Sequence, residues 1–250
     1  MQPEHTTNPT AAILIIGAEV LSGKIQDANS PFLATRLREE GIDLLEIRTV
    51  TDCIEAISSA AKSLRQQVDY VFTTGGIGPT HDDVTVVAIA HALGRPVIRH
   101  TEMENRIRDH FGSHVTPAAL TMADVVEGTT LTMGDNALVP TMQVENITIL
   151  PGIPDLMRQC FEAIAPRLGG SPFYTKSMTL KASESSIAEK LAAIQENFAG
   201  VSIGSYPRFD NEGWHITITV DGRSEQVVQE AMSCINTTIA PDKASRTKHS

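Results

Sequence analysis

The chain has 250 residues, 41% hydrophobic and 20% charged, which excludes wholesale disorder and supplies enough apolar surface for a core without staples. Thirty acidic against twenty basic residues give a net charge of −10, and aromatics make up only 4%, a balance that argues against nucleic acid or an anionic membrane as partner. Cys53, Cys160 and Cys234 are odd in number and widely spaced, without a CxxC, so reduced thiols and a cytoplasmic location are expected. Ala11 to Ile16 is too short an apolar run to span a membrane, and MQPEHTTNPT lacks the basic start of a signal peptide.

In chain order, residues 1–10 read as a polar tail and AAILIIG as a fully buried strand ending at Gly17. Ser30-Pro31 reads as a cap followed by the first helical residue of a helix closed by Gly41. IDLLEIRTV is a second strand, and Asp52 and Glu55 have capping-box spacing ahead of a helix to about Gln67. VDYVFTT is a third strand, GGIGPTHDD its loop and VTVVAIAHALG a helix. This alternation predicts an α/β domain whose mostly parallel sheet is covered on both faces.

Thr101 to Gly128 reads as two helices interrupted near Thr116-Pro117, ALVPTMQV and NITILPG as a hairpin or two sheet strands, and Asp155 to about Leu168 as a helix. Gly169-Gly-Ser-Pro172 is the expected joint between domains at 11–168 and 173–240. The second domain follows a β-α-β-β-α order, a small α+β unit that suggests support from a partner subunit; 241–250 is a polar tail.

Chemistry concentrates where strands end. In Thr73-Thr74-Gly75-Gly76-Ile77-Gly78-Pro79-Thr80-His81-Asp82-Asp83-Val84-Thr85, glycines permit close approach of a ligand, and free amides at a helix start favour an anion. The loop is neither a Walker A motif nor a dinucleotide fingerprint. Two carboxylates beside a phosphate would repel it unless a divalent cation such as Mg²⁺ lies between, held by Asp82 and Asp83 with Glu19 as a further donor. The alternative is that the Asp pair and Thr80 only cap the helix. Gly17-Ala-Glu19-Val-Leu-Ser22-Gly-Lys-Ile-Gln-Asp27-Ala-Asn29 lies at the same sheet edge, where open α/β sheets bind ligands, as do Asp52, whose other reading is a cap, and Pro151-Gly152-Ile153-Pro154. His110 and His114 have metal-ligand spacing without an evident third ligand, and Cys160 reads as core.

GAEVLSGKIQDAN, GGIGPTHDDVT and LPGIP together resemble the molybdopterin-binding (MoCF biosynthesis) domain family. That family includes molybdopterin adenylyltransferases and the CinA group, and the likeness extends to the molybdopterin-binding-like domain of eukaryotic FAD synthases and its free-standing bacterial relatives. SSIAEKLAAIQENF and IGSYPRF are similar to that last group, so the resemblance runs from about Ala11 to Ile239.

The resemblance implies a three-layer α/β fold of the molybdopterin-binding type with its ligand site at the strand ends. It implies catalytic roles for Asp52 and Asp83, with Asp82 beside them, and ligand or phosphate contacts from Glu19, Asn29, Thr74, Gly75, Gly76, Gly78, Pro79, Thr80 and Gly152. The expected activity is Mg²⁺- or Co²⁺-dependent cleavage of the pyrophosphate of ADP-ribose or FAD to AMP plus the second phosphate. Binding of molybdopterin without turnover, or adenylyl transfer to it, are the alternatives. A homodimer is the expected assembly, with a homotrimer as alternative. The chain leaves no room for the deamidase domain of CinA proteins or for the reductase-like domain that makes FAD, so hydrolysis rather than FAD synthesis is expected. Leu138-Val139-Pro140-Thr141 departs from the CinA pattern at a pterin contact.

Overall fold

The structure is a computed structural model and describes residues 8–135, 138–210 and 213–239; the tail expected at 241–250 and most of that at 1–10 lie outside them. It separates into two units, Met1–Gly170 and Ser171–Ser250.

In the first unit, β1 (Thr10–Ile16) is apolar throughout because both of its faces are covered. Ala12, Leu14 and Ile16 face a core shared with α3 (Ile54–Leu64) and α4 (Thr85–Leu93). Ala11, Ile13 and Ile15 face a second core shared with α2 (Asn29–Glu39) and α7 (Pro154–Ile164). With a strand period of two, one continuous run thus feeds two helical layers. The sheet order is β2-β1-β3-β8-β7-β6, comprising β2 (Asp43–Val50), β3 (Tyr70–Thr74), β6 (Thr130–Thr132), β7 (Thr141–Val144) and β8 (Ile147–Leu150). Pairings from β2 to β8 are parallel and those from β8 to β6 antiparallel, which makes a three-layer α/β domain with a mostly parallel sheet. Phe161 of α7 packs edge-on against Phe72 and Phe32, with ring centroids 5.5 and 6.2 Å apart.

Several boundaries differ from the sequence expectation. Ser30 is not the cap of α2; it lies inside the helix, and the Asp27 carboxylate takes the cap, accepting from the Asn29 and Ser30 amides at 2.9 and 3.0 Å. The Asp52–Glu55 capping box does not form, since α3 starts from Cys53 without a side-chain cap and Asp52 turns to another loop. α3 also ends at Leu64, about one turn early. Four short elements escaped the pattern: α1 (Ala18–Leu21), the ribbon of β4 (Val97–Arg99) with β5 (Asp124–Val126), and β6. Each spans three or four residues, too few to show a period. Between the ribbon strands lie α5 (Thr101–Phe111) and α6 (Pro117–Thr121), the latter capped by Thr116 Oγ1, which accepts from the Ala119 amide at 3.1 Å.

The second unit has a three-stranded antiparallel sheet of order β10-β11-β9, from β9 (Tyr174–Leu180), β10 (Val201–Asp210) and β11 (Gly213–Gly222). The central strand alternates, burying Ile216, Ile218 and Val220 against Ile187, Leu191 and Ile194 of α8 (Glu184–Asn197) and Val228, Ala231 and Ile235 of α9 (Glu225–Ile239). No helix among the described residues is long and apolar enough to cross a membrane.

Candidate functional site

The carboxyl ends of β1, β2, β3 and β8 open on one cleft of about 870 Å³ in the first unit. Its walls are largely apolar, and its size falls within the range of small-molecule and cofactor sites. The structure brings together there Glu19, Asn29, Asp52, Thr74, Gly75, Gly76, Gly78, Pro79, Asp82, Asp83 and Gly152. It does not bring Thr80, which lies outside the lining and contacts the Asp82 and Asp83 carboxylates.

Backbone packing first explains the glycines. A Cβ on Gly75, at φ 102, would lie 2.1 Å from the Ile16 carbonyl oxygen, and one on Gly152 would lie 3.2 Å from the Gly75 Cα. The loops after β1, β3 and β8 therefore touch main chain to main chain. Gly76, at φ 64, sits under Thr85, whose hydroxyl donates to the Gly75 carbonyl at 2.8 Å and whose amide donates to the Gly76 carbonyl at 3.0 Å. The missing side chains of Gly75 and Gly76 thus make room for the protein's own backbone and Thr85. What the loop offers a ligand is its amides. Those of Gly76, Ile77 and Gly78 donate to no acceptor among the described residues, and successive free amides in a loop between strand and helix favour an anion.

Beyond that loop, the Thr80 hydroxyl stands 2.6 Å from Asp82 Oδ1 and 2.5 Å from Asp83 Oδ2, while the Thr80 amide donates to Asp83 Oδ2 at 2.8 Å. One hydroxyl thereby gathers two carboxylates. The hydrogen bond from Thr80 holds the Asp82 carboxyl below the ordinary value of 3.8, helped by the local backbone. Gly78 lies against them, since a Cβ there would come 2.7 Å from Asp83 Oδ2 and displace that carboxylate.

Asp52 Oδ2 accepts from the Ala18 amide at 2.8 Å, tying the loop after β2 to the first turn of α1 and leaving Oδ1 without a donor among the described residues. Asn29 is a strut, its Nδ2 donating to Thr74 Oγ1 at 3.2 Å and to the Gly152 carbonyl at 2.9 Å. Because a carbonyl only accepts, the amide orientation is fixed. The buried Oδ1 then lacks a donor, which suits a ligand hydroxyl or N–H rather than a phosphate oxygen.

Among the described residues no group of three or more His, Cys, Asp or Glu could hold a metal, so His110 and His114 form no such cluster and Glu19 does not join Asp82 and Asp83 as a third donor. The Asp82–Asp83 pair lacks the donors of a closed zinc site. It fits a hard cation such as Mg²⁺, which takes one or two carboxylates and completes its shell with water and phosphate. Part of the lining was not legible in the sequence: Met103, Arg106 and Phe111 of α5 line the cleft without any local motif to mark them, and His110 and Leu138, noted for other reasons, line it with them.

Residues 12–170 match the family model described as "Probable molybdopterin binding domain". The chain belongs to this family. Residues 172–248 match a second model, "FAD synthase, middle domain". A protein of Pyrococcus abyssi is 31% identical over 239 residues, covering 89% of this chain and 94% of its own. A "Probable FAD synthase" of Caenorhabditis elegans is 26% identical over 266 residues, covering 95% of this chain, which spans 51% of that protein. The crystal structure of the protein CinA from Thermoplasma acidophilum superposes with a TM-score of 0.60 at 25% identity, over 64% of this chain and 98% of that one. The molybdopterin-binding-type unit thus carries the cleft, and the FAD-synthase-type unit follows it.

Proposed function

We propose that the cleft binds a nucleotide containing a pyrophosphate bridge and hydrolyses it to AMP and a second phosphate monoester, with ADP-ribose and FAD as the substrates. The observation that carries this reading is the convergence of Asp82 and Asp83 on the Thr80 hydroxyl, in the loop that presents the free amides of Gly76, Ile77 and Gly78. Carboxylates there are unfavourable for a bare phosphate and favourable for a phosphate that arrives with a divalent cation. A bound Mg²⁺ or Co²⁺, held by Asp82 and Asp83, would supply stabilisation of the negative charge that builds on the phosphates.

The chain's own groups divide the remaining work. The loop amides hold phosphate oxygens in place, and the apolar wall takes a planar ring. Asp52, steadied through Oδ2 by the Ala18 amide, has Oδ1 available to accept a proton from the attacking water. Asp83 is the other group able to take that role. The water oxygen bonds to one phosphorus, the bond from that phosphorus to the bridging oxygen breaks, and its electron pair leaves with the other phosphate. The products are AMP with ribose phosphate or FMN.

The test is AMP release from ADP-ribose and FAD by wild type, Asp82→Asn and Asp83→Asn, with Mg²⁺, Co²⁺ or EDTA. Asparagine keeps an acceptor for the Thr80 contacts but removes the charge. Release should fall at least about 100-fold in each variant and in EDTA, equivalent to about 3 kcal/mol of transition-state stabilisation, while melting stays nearly constant. Activity that survives both substitutions and the chelator ends the hydrolase reading. A second reading, retention of a phosphorylated pterin without turnover, draws on the family description over residues 12–170. Tight pterin binding with no AMP release from either nucleotide selects it.

A further inference from the structure

The cleft carries a charge imbalance that its strand-end loops do not resolve. Glu19, Asp27, Asp52, Asp82 and Asp83 line it, and among its described lining residues Arg106 is the one side chain with a permanent positive charge. Arg106 belongs to α5, which two neighbours fasten in place: Met103 is 8% exposed in the core on the α3–α4 side of the sheet, and Ile107 packs against the same cluster. That anchoring fixes the rotation of the helix. Residues four apart on a helix share a side, so Arg106 and His110 rise together from α5, and both line the cleft.

Among the described residues, Arg106 is held only by Glu102, one turn earlier. Its Nη2 and Nε both donate to the same Glu102 oxygen, at 3.0 and 3.2 Å, so the guanidinium is not locked fork-to-fork. The two side chains are 46% and 59% exposed, and an ion pair of that kind within a helix contributes little. Glu102 meets the guanidinium here through one oxygen, whereas a phosphate seated in the cleft can meet the planar fork with two and take the place of this exposed partner.

We propose that Arg106 is a second anion subsite, which receives the phosphate of a two-phosphate ligand lying farther from the Asp pair, with Glu102 as a displaceable guard. This rests on reading the cleft as a nucleotide site and deepens it: the ligand bridges from the glycine loop to α5. A monophosphate engages one end only.

The experiment measures equilibrium binding of a methylene-bridged ADP-ribose analogue, which cannot be hydrolysed, to the full chain with Mg²⁺ at low and high salt. Arg106→Gln should weaken binding at least tenfold and flatten its salt dependence, with Arg106→Lys between it and wild type. Glu102→Gln should leave affinity unchanged or tighten it. Equal affinity in wild type and Arg106→Gln overturns the subsite alone and assigns the arginine to helix stability. If Arg106→Gln fails to fold, Glu102→Gln decides, because weaker binding there overturns the guard and the subsite together. No binding by wild type removes both this subsite and the nucleotide reading. Binding that depends on Arg106 without any AMP release upholds the subsite while the hydrolase reading falls.

Discussion

At the scale of single residues, two glycines with the same backbone hand separate strain from packing. Gly76 has φ 64 and a Cβ there would meet Thr85 Oγ1 at 2.4 Å, whereas Gly23 has φ 72 with nothing within 4 Å. Gly23→Ala should therefore cost only the left-handed conformation, roughly 1 kcal/mol. Gly76→Val adds a clash with Thr85 and should cost about 3 kcal/mol or more in urea unfolding. Near-equal losses would show that Thr85 yields freely and that the loop is not pinned. A ligand effect of Gly76→Val is accordingly a poor probe of phosphate contact, since the fold suffers first.

Asp69 offers a residue-scale test of pH dependence. Its carboxylate accepts from the Thr10 amide at 2.7 Å and the Thr10 hydroxyl at 2.8 Å, and these bonds hold its pKa below the ordinary 3.8. A depressed carboxylate contributes stability above the unfolded value and loses it as pH falls through the folded one. Wild type should melt slightly above Asp69→Asn at pH 7, with the gap closing below pH 3.8. A gap that widens in acid has the wrong sign for this account.

At the scale of elements, the site depends on how three loops are held together. Asn29, in the first turn of α2, donates to the end of β3 and to the loop after β8. Asn29→Ala leaves the Gly152 carbonyl and Thr74 without that donor, a loss of about 1–3 kcal/mol. Asn29→Asp should be worse, because it sets a charge at a 7% exposed position and points an acceptor at a carbonyl. The expected order of melting temperatures is wild type, Asn29→Ala, Asn29→Asp; an aspartate variant as stable as wild type would remove the strut from the argument. A second tie acts along the same face, where Arg36 of α2 donates from Nε and Nη2 to the Glu162 carboxylate of α7 at 2.7 and 3.1 Å.

For the whole molecule, the two cores flanking the six-stranded sheet belong entirely to the first unit, and the core of the second unit is separate. A fragment of residues 8–170 should therefore fold cooperatively and bind the nucleotide analogue with the affinity of the full chain. A fragment that remains unfolded in near-ultraviolet circular dichroism, or that folds and loses affinity, would show that the second unit completes the first. The second unit, Ser171–Ser250, is about half the length of the first, is built around one cluster, and should be the less stable when expressed alone.

Some of this was determined by local sequence. Continuous apolar runs such as Ala11 to Ile16 mark strands covered on both faces, and their alternation with helices leaves few topologies. The strand-end loops carry their glycines and carboxylates in short contiguous motifs, so Glu19, Asp52, Asp82 and Asp83 were legible as one edge of a sheet. What tertiary structure decided is where each group spends its hydrogen bonds. Asp52 serves Ala18 and not its own helix, Asp27 caps α2 in place of Ser30, and the glycines clear space for Ile16 and Thr85. Arg106 enters the cleft for the same reason: its position follows from the packing of Met103 and Ile107, contacts between segments far apart in the chain, which no pattern within α5 encodes.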